Sequence, residues 1–259
     1  MSDFVYGRWP VLECMRAGRR TIQKLLMAEG VSEKGVITDI LQMAESKNIE
    51  IRRVPRRVMD DLAKEGNHQG VILRTEDYPY VELDDLLEIP TQRGEKPFFL
   101  ALDLLKDPQN VGVLLRVADS VGVHGVIFQA RRSVAVTPAV VAASSGAVEH
   151  LALAQVNNLV NALKRLKEQD VWIVGLDIGP NIPPLDRIDL NRSLTLVLGS
   201  EGEGMRRLVR DTCDMLATLP MRGAVDSLNV ATAGSIALYS SWQARKWEGW
   251  VHAESHTDL

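Results

Sequence analysis

The sequence is poor in the residues that build metal centres and disulfide frameworks. Its 259 residues include only two cysteines, Cys14 and Cys213, far apart and outside any CxxC pattern. A disulfide scaffold and a structural zinc site are therefore not expected, and a reducing cytosol is the natural compartment. Of the five histidines (His68, His124, His150, His252 and His256), only His252 and His256 stand in HxxxH spacing and none forms HExxH, so no metal site is expected. Long apolar runs are missing as well. Each is interrupted within about ten residues, well short of the ~20 that a membrane helix needs. Met1-Ser2-Asp3-Phe4 lacks a basic region leading into an apolar stretch, so no signal peptide is expected and the predicted location is cytoplasmic. With 46% hydrophobic and 25% charged residues, the chain has the proportions of an ordinary globular protein, which excludes disorder and collagen-like repeats.

An excess of positive charge is also missing. A formal net charge of −4 argues at first against a nucleic-acid partner. The distribution changes that inference. Residues 1–74 hold 13 Lys/Arg against 10 Asp/Glu, residues 75–96 hold 2 against 7, and residues 97–259 hold 15 against 17. The acidity is concentrated in one short segment. The first segment carries arginine pairs at Arg19-Arg20, Arg52-Arg53 and Arg56-Arg57, which read either as a solvated basic surface or as phosphate contacts.

The length allows one large α/β domain or two unequal ones. Residues 1–74 read as a small α/β unit, with helical spacing at Trp9–Ala17, Gly35–Ser46 and Val58–Ala63 and strands at Ile22–Met27, Ile49–Ile51 and Gly70–Leu73. Residues 75–96, with two prolines and seven acids, read as an acidic linker with a short helix near Leu83–Leu87. From Pro97, β and α patterns alternate. Strands are predicted at Phe98–Leu104, Gly125–Phe128, Leu151–Val156, Val171–Leu176, Leu194–Leu198 and Met215–Leu219. Helices are predicted at Pro108–Val121, Pro138–Ser145, Leu159–Glu168, Gly204–Cys213 and Ser227–Lys246. This alternation predicts an α/β fold, a parallel sheet with helices on both faces, over residues 97–247. The tail 248–259 is expected to be disordered.

Three stretches carry candidate chemistry. In the first, Asp107-Pro108 starts a helix, with Asn110 in its first turn and Arg116 on a narrow polar stripe. That helix reads as buried on most sides, with Arg116 either paired to Asp119 on the surface or held by another partner. In the second, the strand Leu194–Leu198 runs into Gly199-Ser200-Glu201-Gly202-Glu203-Gly204. Alternate glycines let backbone approach a ligand, or simply make a tight turn. They do not fit GxGxxG, and the two glutamates make a poor phosphate cradle, which argues against a nucleotide-binding oxidoreductase. In the third, Leu219-Pro220-Met221-Arg222-Gly223 leads to Ser227-Leu228-Asn229, where Ser227 or Asp226 caps the long last helix and Asn229 is a second capping candidate. The small residues Ala231, Ala233, Gly234 and Ser235 predict that this helix lies close against a neighbour.

Taken in order, Asn-x5-Arg, then Gly-x-Glu-Gly-x-Gly, then Pro-Met-x-Gly-x-x-x-Ser-Leu-Asn-Val resemble the SpoU (TrmH-type) RNA 2′-O-ribose methyltransferases of the SPOUT superfamily. The stretches Gly146-Ala147-Val148-Glu149-His150 and Val171–Gly175 resemble linking parts of that domain. Tyr6-Gly7-Arg8 and His68-Gln69-Gly70-Val71 resemble the family's small amino-terminal RNA-binding domain. The likeness covers most of the chain and points to the two-domain subgroup that methylates guanosine in bacterial 23S ribosomal RNA, with transfer RNA as the alternative target. One departure is Val230-Ala231-Thr232-Ala233, where relatives often carry Val-Ser-Val-Ala; small size is kept.

The resemblance implies a deep trefoil knot in the carboxy-terminal half and an S-adenosylmethionine pocket formed by the loops around Leu176-Asp177, Gly199 and Leu219–Leu228. Leu219 and Leu228 would recognise adenine through backbone groups, and Gly199 would leave room for the bent cofactor. Arg116 would be the central catalytic residue, acting as phosphate clamp and hydroxyl orienter, with Asn110, Glu201, Ser227 and Asn229 at the remaining motif positions. Glu201 would hold Arg116 or Asn229. The resemblance also implies an RNA partner and a homodimer. The long last helix, with Leu238, Tyr239 and Trp242, would supply either its surface or intramolecular core.

Overall fold

The computed structural model describes residues 2–64, 66–224 and 227–250, and the chain builds two β-sheets. The smaller sheet has strand order β1-β4-β2-β3, from β1 (Ser2–Tyr6), β2 (Ile22–Ala28), β3 (Ile51–Val54) and β4 (Val71–Glu76). β4 runs antiparallel to β1 and β2, and β3 runs parallel to β2. Helices α1 (Arg8–Ala17), α2 (Val36–Ser46) and α3 (Arg56–Ala63) complete this unit. α1 ends where predicted, at Gly18, whose φ of 62° suits a residue without a side chain. β1 has no counterpart in the sequence reading, because its five residues lack the apolar alternation that marks a strand.

The larger sheet has order β10-β8-β9-β5-β6-β7 and every pairing in it is parallel. Its strands are β5 (Phe98–Leu102), β6 (Gly125–Gln129), β7 (Leu153–Val156), β8 (Trp172–Leu176), β9 (Leu194–Leu198) and β10 (Met215–Ala217). The helices are α4 (Leu83–Arg93), α5 (Pro108–Ser120), α6 (Pro138–Ala143), α7 (Leu159–Lys167), α8 (Arg207–Thr212) and α9 (Val230–Ala244). Side chains on β5 alternate between two apolar clusters. Phe98, Leu100 and Leu102 face the cluster with Leu114 of α5 and Leu238 of α9. Phe99 and Ala101 face the one with Leu163 of α7 and Val209 of α8. Helices therefore cover both faces, as the α/β reading expects.

The acidic segment is more than a solvated tether. Tyr78 is buried, Val81 forms a parallel bridge to Ala154 beside β7, and Leu86 of α4 is fully buried. The helix expected near Leu83–Leu87 runs on to Arg93, with Pro90 inside it. The apolar cluster of the larger sheet continues into the smaller unit through Val5, Leu12, Met15 and Met27, so the two units share one core.

The Arg19-Arg20 pair, read as a candidate phosphate contact, is part of that junction. Arg20 donates from Nε and Nη2 to the two carboxylate oxygens of Glu149 at 2.9 and 2.7 Å, and from Nη1 to Asp3 at 2.9 Å. Its side chain is fully buried, as is that of Glu149 at 1% exposure. Arg19 donates to the Tyr78 hydroxyl at 2.9 Å and to the Leu151 carbonyl. Neither guanidinium faces solvent phosphate. At the far end of the larger sheet, Arg245 donates to the carbonyls of Lys96, Pro97 and Arg192 and lies 4.6 Å from the Phe98 ring centroid. Burial lowers its pKa to about 10, so it remains cationic at neutral pH and pins the end of α9 to the start of β5.

Burial raises the pKa of Glu149 despite the arginine beside it. Removing the cation alone, in Arg20→Met, leaves a buried carboxylate unpaired, and a loss of about 3–5 kcal/mol is expected from urea unfolding. A carboxyl whose folded pKa lies above its unfolded value stabilises below the unfolded value and loses that stabilisation as pH rises through the folded one. The Arg20→Met loss is therefore expected to shrink on acidification. An Arg20→Met/Glu149→Met double variant is expected to recover part of it.

Candidate active site

The carboxyl ends of β8, β9 and β10 open onto a cleft of about 1190 Å³. This is where parallel sheets place their ligand sites. Its walls are the loop after β8 from Leu176 to Pro180, the loop after β9 from Gly199 to Gly204, and the segment from Thr218 that leads to α9. All four expected cofactor positions, Leu176, Gly199, Leu219 and Leu228, line it, and so do Glu201, Ser227 and Asn229.

The glycine loop is closed on itself. The Ser200 and Gly204 amides each donate to the other's carbonyl at 3.0 Å, and Gly202 and Gly204 have φ of 80° and 68°. A Cβ on Gly199 would lie 2.1 Å from the Gly204 carbonyl carbon and 2.2 Å from the Met205 nitrogen. The missing side chain makes room for the returning backbone of the loop itself.

Three of the predicted residues, one from each motif, meet at one point. Asn110 Nδ2 and Asn229 Nδ2 each donate to Glu201 Oε1 at 2.7 Å, and Asn229 Nδ2 also lies 3.0 Å from Asn110 Oδ1. Asn110 is placed by the start of α5, where Asp107 accepts from the Gln109 and Asn110 amides at 3.3 and 3.0 Å, as predicted. Asn229 is itself the cap of α9, accepting from the Ala231 and Thr232 amides at 2.9 and 3.2 Å. The helix therefore begins at Val230. Ser227 is not its cap, and Asp226 lies outside the described residues. Glu201 sits between the amino ends of α5 and α9, held by one residue from each.

Arg116 is placed elsewhere. Six residues along α5 from Asn110, it is ~9 Å further along the axis and ~120° around it. It is exposed, donates to Ser145 Oγ at 3.1 Å, and is not part of the cleft wall. Glu201 thus holds Asn229 and Asn110, and Arg116 pairs with neither Glu201 nor Asp119. Burial raises the Asp119 carboxyl, with His150 opposing the shift. Val113, 42% exposed, joins Gln109, Arg116 and Ser120 on the one exposed stripe of α5, while Val111, Leu114, Leu115 and Ala118 are buried. The small residues of α9 behave as expected: a Cβ on Gly234 would lie 2.4 Å from Leu198 and 2.5 Å from Leu114.

Asp103, just beyond β5, was not legible because the predicted strand ran through it. It is fully buried and accepts from the Arg206 amide and Nε, both at 2.8 Å, fixing the chain just after the glycine loop. The signal was an acid directly after five apolar residues. Asp177, in the loop after β8, accepts from Arg210 Nε at 2.6 Å and raises that guanidinium's pKa. Burial pushes both thiols up, Cys213 to about 12, so neither is ionised at neutral pH.

Comparison with known proteins decides what this architecture is. The profile of the SpoU rRNA Methylase family matches residues 97–239, and that of RNA 2'-O ribose methyltransferase substrate binding matches residues 4–81. The chain belongs to the SpoU rRNA methylase family. It is 42% identical over 243 residues to the putative TrmH family tRNA/rRNA methyltransferase YacO of Bacillus subtilis, covering 94% of this chain and 96% of that one. A Staphylococcus aureus protein of the same description is 39% identical over 246 residues, covering 95% and 98%. Among solved structures, the SpoU methyltransferase AviRb from Streptomyces viridochromogenes, in complex with AdoMet, has a TM-score of 0.77 at 23% identity, covering 95% of this chain and 91% of that one. A putative TrmH family RNA methyltransferase from Porphyromonas gingivalis has a TM-score of 0.69 at 25% identity, covering 93% and 89%. The SpoU member described here is thus an RNA methyltransferase of the SpoU/TrmH family.

Because Asn229 both caps α9 and ties Glu201, Asn229→Ala is expected to lower stability by about 1–2 kcal/mol in urea unfolding. Gly199→Ala forces a Cβ into backbone, and a loss of at least about 2 kcal/mol or failure to accumulate folded protein is expected.

Proposed function

We propose that this SpoU-family methyltransferase transfers a methyl group from S-adenosylmethionine to a ribose 2′-hydroxyl in RNA, with a guanosine of 23S ribosomal RNA as its target. The observation that carries the reading is the convergence of Asn110, Glu201 and Asn229 from three separate motifs at the edge of one cleft. The cleft fits the methyl donor chemically. Ile178, Met221 and Leu228 line it although they are 65%, 41% and 37% exposed, apolar surface that a flat ligand would cover. Glu201 and Glu203 supply negative charge suited to a cationic ligand and unsuited to a phosphate. Backbone groups at Leu219 and Leu228 would read an adenine edge, with Leu176 beneath it.

S-adenosylmethionine, when bound, supplies an electrophilic methyl group on a good leaving sulfur. The chain then has to position the ribose and handle one proton. Glu201, locked by two amides, holds the loop and α9 in fixed relation, and Ser227 stands at the cleft rim to contact ribose or donor. A charged guanidinium has no lone pair to accept a proton, so Arg116 serves as clamp for the adjacent phosphate and as orienter of the 2′-hydroxyl. Its placement outside the cleft of its own chain supports a homodimer in which one copy's Arg116 completes its partner's site. Leu238 is core, whereas Ile236 and Tyr239 are exposed and the rings of Tyr239, Trp242 and Trp247 pack together, Trp242 edge to face with each of the others. That aromatic face is the dimer surface in this reading. The knotted passage of the chain around the cleft and a cytoplasmic location belong to the same reading. Relatives described as tRNA/rRNA methyltransferases make transfer RNA the second substrate to test.

The test is methyl transfer from labelled S-adenosylmethionine to protein-free 23S transcript and to bulk transfer RNA, with the modified ribose mapped. Arg116→Ala is expected to lower the rate at least ~10²-fold while donor binding by calorimetry stays within about twofold. Transfer to neither RNA, or near-normal transfer by Arg116→Ala, would overturn the assignment. Mixing Arg116→Ala with a donor-site Leu228→Arg variant is expected to restore a share of activity if sites are completed across a dimer.

A further inference from the structure

We infer that a second cleft, on the small unit, holds one unpaired nucleotide of the substrate RNA away from the methyl-transfer site. The inference rests on the RNA reading above and extends it to a specific recognition pocket. The cleft measures about 450 Å³, within the ~300–1,000 Å³ of small-ligand sites and too small for a duplex. It is lined by Arg8, Glu29, Ser32, Arg56 and Gln69, together with backbone at Gly30 and Gly70. Two guanidinium groups suit a phosphate, while a carboxylate, a hydroxyl and a carboxamide suit the donor and acceptor edge of a base.

The pocket is built rather than incidental. The Arg8 amide donates to Gln69 Oε1 at 3.1 Å and Arg8 Nε donates to the Gln69 carbonyl at 3.3 Å. These bonds orient the guanidinium through Nε, while its two terminal amino groups are the pair that grips a phosphate. Gln69 and Gly70 both have positive φ, 52° and 87°, and a Cβ on Gly70 would lie 2.6 Å from Val31. The floor is therefore fixed against the turn at Ala28–Val31. Gly30 opposite has φ of 73° and nothing within 4 Å of a Cβ position, so backbone there is open to close approach. Trp9, the next residue of α1 after Arg8, is 53% exposed and offers a face for a neighbouring base. Arg52 and Arg57, both exposed, extend the positive surface from Arg56 along β3 and α3. Sequence-specific RNA recognition works mainly on unstacked bases, which is the ligand this pocket accommodates.

The test compares wild type with Arg56→Ala, Arg8→Ala/Arg56→Ala and Trp9→Ala for binding of protein-free 23S transcript and bulk transfer RNA across a salt series. Each arginine removed is expected to weaken binding roughly tenfold and to reduce the log–log salt slope by about 0.7–0.9. In steady-state methylation, KM for RNA is expected to rise while kcat at saturating RNA and donor binding stay within about twofold, a split that misfolding would not give. Wild-type affinity and slope in the double variant, with wild type itself binding RNA, would overturn the pocket and leave the methyltransferase reading intact. Failure of wild type to bind either RNA would overturn both.

Discussion

The molecule is organised around a buried ion pair between its two units. Arg20 comes from the small unit and Glu149 from the larger one, and with Asp3 they bring three charges beside the apolar cluster that the two units share. Such a pair is a weak source of net stability, because desolvation offsets most of the Coulombic gain. It is, however, intolerant of misalignment, since a carboxylate shifted from its arginine has no water to turn to. The apolar cluster shared by the two units supplies attraction without direction, and the ion pair supplies the direction. Gly146 shows how closely the surfaces approach: a Cβ there would lie 2.7 Å from Glu13 and 3.0 Å from Pro10.

This junction bears on chemistry through the chain around it. Ser145, which receives the Arg116 hydrogen bond, immediately precedes Gly146, and Glu149 follows three residues later. His150 then contacts Glu13 of α1 at 2.8 Å. One short segment therefore docks the small unit, fixes Arg116 and carries the charge that aligns the two. In the proposed reaction, the unit that holds RNA and the residue that orients its ribose share a rigid support. An RNA-recognition module on a flexible tether would not transmit register to a 2′-hydroxyl with that precision.

What the sequence revealed depended on whether the signal was local. The parallel sheet was legible because β5 is a continuous apolar run and β9 nearly so, with Thr195 its one polar residue, and the start of α5 was legible because Asp107-Pro108 is self-contained capping chemistry. The glycine loop and the Ser-Leu-Asn stretch were recognisable as motifs, but their partners were not. Nothing within residues 194–205 says that Glu201 will meet Asn110, 91 positions earlier. Arg19-Arg20 looked like any basic pair, because its meaning lies in Glu149, 129 positions away. The first turn of α9 was misread for a related reason. Several residues there are competent caps, and only the tertiary bond to Glu201 selects Asn229. The acidic segment was read as linker from its prolines and charge, while its packing rests on two tyrosines, Val81 and Leu86, too few to dominate composition.

Charge segregation follows from these placements and explains why the net value was uninformative. The small unit exposes arginines at Arg52, Arg56 and Arg57, while the cleft of the larger unit is edged by Glu201 and Glu203. A polyanion and a cationic methyl donor make opposite electrostatic demands, and a uniformly basic protein would meet only the first. Glutamates in a glycine loop suit a phosphate cradle poorly, and in the proposed reaction they face the cationic donor. Glu201 is anchored between the amino ends of α5 and α9 by Asn110 and Asn229, with no basic side chain among these partners. Among the described residues no arginine lines this cleft, and Arg116 is exposed on another face of α5. In the proposed reaction, keeping Arg116 as phosphate clamp apart from the donor-facing glutamates prevents their mutual neutralisation until RNA and a second copy bring them to the same ribose.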